Sequence, residues 1–126
     1  MHVLAGLAGE PSFPEAKAFS RRIAEDLASE WPERVLARSD REARAGRVYV
    51  DWIQNDRNRQ LVAAYSPRAT GRPGVSTPLT WDEVGRAADG ELEAVRPTFQ
   101  EVLARVTRLG DIWAALGQGQ RRLPET

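Results

Sequence analysis

The chain has 126 residues, no cysteine, and 18 basic and 18 acidic side chains that balance to a formal net charge of zero. This length gives room for one domain with a modest hydrophobic core, and the balanced charge gives no bulk argument for nucleic-acid binding. The lack of cysteine excludes a disulfide framework and a thiolate metal site, and no apolar run reaches the ~20 residues of a membrane span. Because the N-terminus lacks the basic region of a signal peptide, we expect a soluble cytoplasmic protein.

The first predicted elements are a strand and a long helix. The apolar run from His2 to Leu7 has the length of one buried strand. Ser12 can then cap a helix, with Glu15 completing a capping box. We expect a core helix of about 17 residues that ends at Trp31, because the next residue is proline. Its apolar positions recur at helical spacing: Ala16, Phe19, Ile23, Leu27 and Trp31.

A short apolar run and a basic loop follow this helix. Val35 to Ala37 has the composition of a short strand, and residues 39 to 47 are charged. Four arginines lie in or beside this loop: Arg38, Arg41, Arg44 and Arg47. Two interpretations stay open, a solvated loop or a basic edge beside a phosphate backbone.

The centre of the chain predicts a β-hairpin that carries an acidic residue. The runs Val48 to Ile53 and Leu61 to Tyr65 flank a polar connector, and the first run alternates as a strand does. Asp51 lies in the middle of this predicted strand. A buried carboxylate there is costly unless it pairs with an arginine, backbone donors or a metal ion. These residues alone leave that choice open.

The second half of the chain predicts a loop and three helical segments. Residues 66 to 78 are rich in Pro, Gly, Ser and Thr and predict an irregular loop. Thr80 and Thr98 each begin a capping box, Asp111 can cap a final turn through Leu116, and a frayed tail is expected from Gln118. The element order predicts an α/β fold with one mixed or antiparallel sheet and helices packed on one face.

Common catalytic motifs are absent from the sequence. There is no G-x-S-x-G nucleophile elbow, Walker loop or G-x-G-x-x-G, and His2 is the only histidine. Composition and spacing therefore indicate an α/β domain with an unexplained acid at Asp51.

Three motifs in fixed order add a specific resemblance. They are Val-Asp-Trp-Ile-Gln-Asn-Asp-Arg at 50–57, Val-Ala-Ala-Tyr-Ser-Pro-Arg at 62–68, and Val-Ser-Thr-Pro-Leu-Thr-Trp-Asp-Glu at 75–83. Together they closely resemble the polymerase domain of bacterial DNA ligase D, of the archaeo-eukaryotic primase superfamily. His2-Val3 and Leu109-Gly110-Asp111-Ile112-Trp113 extend the resemblance in both directions. It implies a partial primase-polymerase (RRM-like) fold over residues 1–117, with 118–126 as a C-terminal tail.

The resemblance implies roles for three residues. Asp51 matches the aspartate of the third catalytic motif, which binds divalent metal, Mg²⁺ or Mn²⁺. His2 and Arg68 match residues that contact the phosphates of the incoming nucleotide. The implied activity is metal-dependent nucleotidyl transfer to a DNA end in non-homologous end joining. The implied partners are DNA ends, a nucleoside triphosphate, and an end-joining ligase or Ku-like protein.

The departures from the family pattern limit the expected activity. The family's Asp-x-Asp motif, which supplies two further metal carboxylates, is not in the sequence. We therefore expect a truncated domain that is inactive alone. The alternatives are a non-catalytic nucleotide- or DNA-end-binding or interaction module completed by a partner chain, and a decayed gene fragment. An exposed sheet edge would also permit self-association.

Overall fold

The computed structural model describes residues 1–69, 74–119 and 121–124. It divides the chain into two compact units. Unit 1 contains Met1–Gly6 and Leu61–Gly119; unit 2 contains Leu7–Gln60 together with the described residues after Gln120. Helices and short strands occur in both units, which confirms the predicted α/β class. The described residues form two two-stranded sheets where we predicted one sheet.

Unit 2 begins with helix α1, Phe13–Glu30, in which the predicted capping box between Ser12 and Glu15 is present. The helix turns Ala24 inward with 0% exposure, whereas Ile23 of the predicted apolar stripe stays 42% exposed. Three other residues of the stripe are partly buried, Ala16, Phe19 and Leu27, so the prediction was wrong at Ile23 and Trp31. The contacts of Lys17 and Ser20 with the segment after residue 51 lie on the neighbouring face of the helix.

The strands of unit 2 pair in parallel. Strand β1, Val35–Leu36, confirms the short strand predicted there, and it pairs with β2, Val48–Tyr49. A short 3₁₀ helix, Trp52–Gln54, follows β2 directly. Leu36 is 6% exposed and forms the buried part of this pair. The charged residues between the two strands form turns, as expected for a loop.

The predicted 48–65 hairpin is wrong. The structure assigns no strand after Tyr49 in the first predicted run, and none from Leu61 to Tyr65 in the second. The backbone enters the 3₁₀ helix at Trp52, so the strand alternation on which the prediction rested does not continue to Ile53. The indole of Trp52 donates to the carbonyl of Ala37 at 2.9 Å. Short apolar runs do not reveal their pairing partner by periodicity, and here the partner of β2 lies before it in the chain.

The predicted strand from His2 to Leu7 is also wrong. Among the described residues, this run forms no strand; only Leu7 makes an isolated bridge, to Arg121. Val3 is 72% and Leu4 44% exposed, so the run lacks the burial that was expected of a sheet strand. Arg121 lies in the predicted tail, and its carbonyl accepts from the amide of Ala8 at 3.0 Å.

Unit 1 contains the hairpin that the chain does form. Strand β3, Pro67–Arg68, pairs antiparallel with β4, Gly74–Val75. These strands replace the irregular loop predicted for residues 66 to 78, of which residues 70–73 lie outside the described residues. The sequence did not predict this hairpin because the segment is rich in Pro and Gly, which are poor strand formers.

The helices of unit 1 confirm the predicted capping boxes. Helix α2 is Trp81–Ala88 with Thr80 as its N-cap, and helix α3 is Phe99–Leu109 with Thr98 as its N-cap. Two 3₁₀ helices, Leu92–Val95 and Ile112–Gln118, complete the unit. The predicted turn after Asp111 is confirmed as the second of these. No helix in the described part of the chain has both the length and the apolar character needed to cross a membrane.

Candidate functional site

Asp51 lies at the exposed N-terminal end of the Trp52–Gln54 3₁₀ helix. Its backbone angles, φ −80° and ψ 77°, are not those of a strand interior. One carboxylate oxygen accepts from the Tyr49 hydroxyl at 3.3 Å. The expectation of a buried mid-strand acid is therefore wrong, and Asp51 has no burial cost that would require a charged partner.

Contacts from β1 and α1 hold the segment around Asp51. The indole of Trp52 donates to the Ala37 carbonyl at 2.9 Å, and the Asn55 amide donates to the Ser20 hydroxyl at 3.0 Å. The Arg21 guanidinium lies 5.2 Å from the centroid of the Trp52 ring. The exposed carboxylate of Asp51 therefore lies on a segment that hydrogen bonds attach to α1 and to the residue after β1.

Lys17 of α1, the only lysine of the sequence, makes a second contact with the segment around Asp51. Its ammonium group pairs with Asp56 at 2.5 Å, and both side chains are about one third exposed. The hydrogen bond from Lys17 is the largest cause that lowers the pKa of Asp56. The ion pair therefore ties the end of this segment to the helix.

Tyr49 connects Asp51 to the arginine-rich loop. The Arg44 guanidinium lies 4.3 Å from the centroid of the Tyr49 ring, and it also donates to Ser39 at 3.0 Å. Burial, followed by the charge of Asp51, raises the pKa of the Tyr49 phenol. A phenol is protonated near neutral pH even at its ordinary pKa of about 10, so the hydroxyl can donate to Asp51. Sequence reasoning missed Tyr49, although its position two residues before Asp51 on a predicted strand placed both on one face.

Arg68 lies on β3 and is exposed. Its strand pairs in register with β4, Arg68 opposite Gly74. Among the described residues, the Arg68 side chain has no hydrogen bond or ion pair, so its guanidinium is available to a ligand. Glycine opposite it leaves no side chain on the facing strand to cover it.

Tyr65 is a residue that sequence reasoning missed. Its φ of 64° lies in the left-handed region, which L residues other than Asn and Asp rarely adopt. The Tyr65 hydroxyl donates to Asp111 at 2.8 Å. Burial, followed by the hydrogen bond to Asp111, raises the pKa of Tyr65. Its place in the Ala-Tyr-Ser-Pro-Arg motif was the only available signal.

His2 is exposed at the start of unit 1 and lies in no strand. Asp51 belongs to unit 2, whereas His2 and Arg68 belong to unit 1. The position of each residue is therefore described only within its own unit. The roles that the resemblance implies for the three residues stay predictions.

The described residues lack the donor set of a metal site. No group of three or more His, Asp or Glu side chains is positioned there to hold a metal ion. Asp51 supplies one carboxylate with a tyrosine as its near neighbour, whereas a two-metal centre needs several oxygen ligands. The described residues thus do not fit a complete divalent-metal site, and no reaction step can be built through one from them.

The exposed Asp51 and Arg68 lie within the motifs at 50–57 and 62–68, and comparison with known proteins identifies the family to which these motifs belong. The sequence model of the family described as LigD, primase-polymerase domain, matches residues 1–113. The chain belongs to this family. The prediction of a ligase-D-type polymerase domain is thereby confirmed.

Curated relatives agree with this assignment. The chain is 39% identical over 116 residues to the multifunctional non-homologous end joining protein LigD of Mycolicibacterium smegmatis, covering 92% of this chain and 15% of that protein. It is 33% identical over 112 residues to LigD of Mycobacterium tuberculosis H37Rv, covering 89% and 14%. LigD of Pseudomonas aeruginosa PAO1 is 38% identical over 84 residues, covering 67% and 10%. The chain thus spans about one seventh of the mycobacterial relatives.

A solved structure shows the same fold. The polymerase domain from Mycobacterium tuberculosis ligase D, in complex with DNA, superposes with a TM-score of 0.79 and 31% sequence identity. The superposition covers 89% of this chain and 37% of that chain. The likeness therefore extends over nearly all of the present residues and over about a third of the solved domain.

Proposed function

We propose that this chain is the nucleotide- and DNA-end-binding part of an end-joining polymerase module, and that it does not transfer nucleotides by itself. The observation that carries the proposal is the likeness of 89% of the chain to a polymerase domain in complex with DNA. The names of the curated relatives place such domains in non-homologous end joining. The proposed ligands are accordingly a DNA end and a nucleoside triphosphate.

Arg68 is proposed to be the main phosphate contact. A guanidinium can form two parallel hydrogen bonds to a phosphate, and such charge-assisted bonds are strong. Arg68 is exposed on a paired strand and has no competing acidic partner among the described residues. His2, as a smaller contribution, is proposed to contact the same phosphates.

Asp51 is proposed to supply one carboxylate toward a divalent metal, Mg²⁺ or Mn²⁺. Its exposure and fixed neighbours support this role, because a metal ligand must be reachable and held in place. One carboxylate is too few for a two-metal site, and the sequence contains no Asp-x-Asp pair. Nucleotidyl transfer therefore requires carboxylates from outside these 126 residues.

Binding to labelled DNA tests the proposal. Fluorescence anisotropy is measured with a duplex that carries a 5′-phosphate and a recessed 3′ end, in a salt series. We expect binding that weakens as salt rises, and a loss of about 1.5–3 kcal/mol in Arg68→Ala, the usual loss for a hydrogen bond to a charged group. The matched control is Arg108→Ala, which removes the same charge from an exposed position of α3. Equal losses in both variants would point to bulk charge and contradict a specific role of Arg68.

The proposed lack of activity has its own test. The purified chain is incubated with Mn²⁺, nucleoside triphosphates and a gapped DNA substrate, and extension is followed on a denaturing gel. We expect no extension. Extension that disappears in Asp51→Ala would show that the chain is catalytically sufficient and overturn this part of the proposal.

A partner protein is the second candidate function, favoured by exposed apolar side chains in unit 1. On α3, Phe99 is 56% and Leu103 54% exposed, and Trp81 at the start of α2 is 74% exposed. Phe99 and Leu103 are four residues apart and therefore lie on one face of α3, and exposed apolar residues that share a surface typically mark protein contacts. Light scattering of the purified chain tests this candidate, with an oligomer or a complex with an end-joining ligase or Ku-like protein as the expected result. A monomer that captures neither protein would contradict it.

A further inference from the structure

Tyr65 has a backbone conformation that its side chain does not favour. At φ 64° it is one of two non-glycine residues with positive φ among those described. The αL region crowds the Cβ atom of an L residue, and tyrosine has no short polar group that could compensate locally. Strained residues of this kind persist only where the surrounding structure holds them, and they cluster at functional sites.

Two hydrogen bonds hold Tyr65 in this conformation. Its amide donates to the carbonyl of Ser76 at 2.6 Å, and its hydroxyl donates to Asp111 at 2.8 Å. The same Asp111 oxygen accepts from the amide of Trp113 at 3.0 Å and so caps the Ile112–Gln118 helix. Tyr65 is thus attached at its backbone to one side of the hairpin and at its hydroxyl to the last helix of unit 1.

This attachment controls the base of the β3–β4 hairpin. The amide of Ser76 donates to the carbonyl of Ser66 at 2.8 Å, so residues 65 and 66 close the hairpin through two adjacent backbone bonds with Ser76. Arg68 follows three residues after Tyr65, on the strand that these bonds align. A change in the direction of the chain at Tyr65 would therefore move the Arg68 guanidinium.

We propose that Tyr65 is a positioning residue: its hydrogen bond to Asp111 holds the hairpin that carries Arg68 in the geometry that binds phosphate. The part concerning phosphate rests on the proposed function of Arg68. Tyr65 itself touches no ligand in this proposal. Its role is to fix the base of the hairpin to the capped end of the 112–118 helix.

The test removes only the hydroxyl. Tyr65→Phe keeps the ring and the backbone, and Thr107→Val is the control, because it removes a hydroxyl that bonds Leu103 within α3 of the same unit. Hydrogen–deuterium exchange is followed in peptides covering residues 64–76, and affinity for the 5′-phosphorylated duplex is measured by anisotropy. We expect faster exchange in this segment and a threefold to tenfold weaker affinity for Tyr65→Phe, about the effect of one hydrogen bond. Thr107→Val is expected to change neither quantity.

A double-variant cycle separates positioning from a direct contact or a general loss of stability. In an Arg68→Ala background, Tyr65→Phe is expected to cause no further loss of affinity while still accelerating exchange. Asp111→Asn, which keeps an acceptor oxygen, is expected to retain most of the protection, and Asp111→Ala to lose it. Unchanged exchange in Tyr65→Phe, or an equal loss of affinity with and without Arg68, overturns the proposal. If the wild-type chain binds no phosphorylated DNA, the proposed function fails, and the exchange measurement alone decides whether Tyr65 holds the hairpin.

Discussion

Glu83 offers the sharpest test of how this chain is stabilised. It is 8% exposed and occupies the third position of α2, where its carboxylate accepts from the amide of Thr80 at 2.8 Å. The same carboxylate accepts two hydrogen bonds from the Arg105 guanidinium of α3, at 2.9 and 2.6 Å. The variant Glu83→Ala removes both the capping contact with Thr80 and the ion pair with Arg105. It leaves the Arg105 side chain, which is 11% exposed, without its acceptors.

The expected loss of stability follows from these contacts. Removing one partner of a buried ion pair costs about 3–5 kcal/mol, because the other charge stays buried without compensation. Loss of the capping interaction adds about 1 kcal/mol. We therefore expect Glu83→Ala to lower the free energy of unfolding by about 4 kcal/mol or more, out of a total of about 5–15 kcal/mol typical of domains.

Urea denaturation followed by far-UV circular dichroism measures this loss. The matched control is Glu15→Ala, which removes a glutamate from the same position of the capping box of α1. That box is exposed, and no arginine among the described residues pairs with Glu15. The control is expected to be much less destabilised. Equal losses in the two variants would show that the Arg105 pair contributes nothing beyond the cap and would refute the reasoning.

Three further predictions concern pH and the segment around Asp51. Burial opposes ionisation of Glu83, but hydrogen bonds from Arg105 and Thr80 prevail and lower its pKa below the usual 4.5. Its contribution to the free energy of unfolding is therefore present above pH 4.5 and is lost as pH falls through the lower folded-state pKa. We expect the stability of the wild type to fall more steeply in acid than that of Glu83→Ala. Trp52→Phe deletes a 2.9 Å bond and is expected to cost about 0.5–1.5 kcal/mol in urea denaturation; an unchanged midpoint would contradict this. Asp51→Asn is expected to stay within about 0.5 kcal/mol of the wild type, because Asp51 is exposed; a larger loss in thermal unfolding would indicate a structural role.

The helix starts were predictable from the sequence because their determinants are local. Ser12, Thr80 and Thr98 each precede a glutamate by three residues, and all three capping boxes form as predicted. A capping box needs only residues within one turn, so its sequence spacing specifies its geometry directly. The family was likewise predictable, since the order and spacing of three motifs are properties of the sequence.

Strand pairing was not predictable in this way. The run Val48 to Ile53 has the composition of a hairpin strand, yet β2 pairs in parallel with β1. The hairpin forms at Pro67–Arg68 and Gly74–Val75 instead. A strand's hydrogen bonds reach another segment of the chain, and a short apolar run does not encode which segment that is. The burial of Asp51 was misjudged for the same reason, because it followed from the assumed strand.

The sequence by itself determined the helix caps and the family, and it indicated the residues that are proposed to bind phosphate and metal. Only the tertiary structure decided which face of α1 is buried. It also decided that Arg105 pairs with Glu83, and that Tyr65, with its left-handed backbone, donates to Asp111. These pairs are 22 and 46 residues apart in the sequence. Contacts at such separations depend on how the elements pack against each other, and no local spacing rule reports that packing.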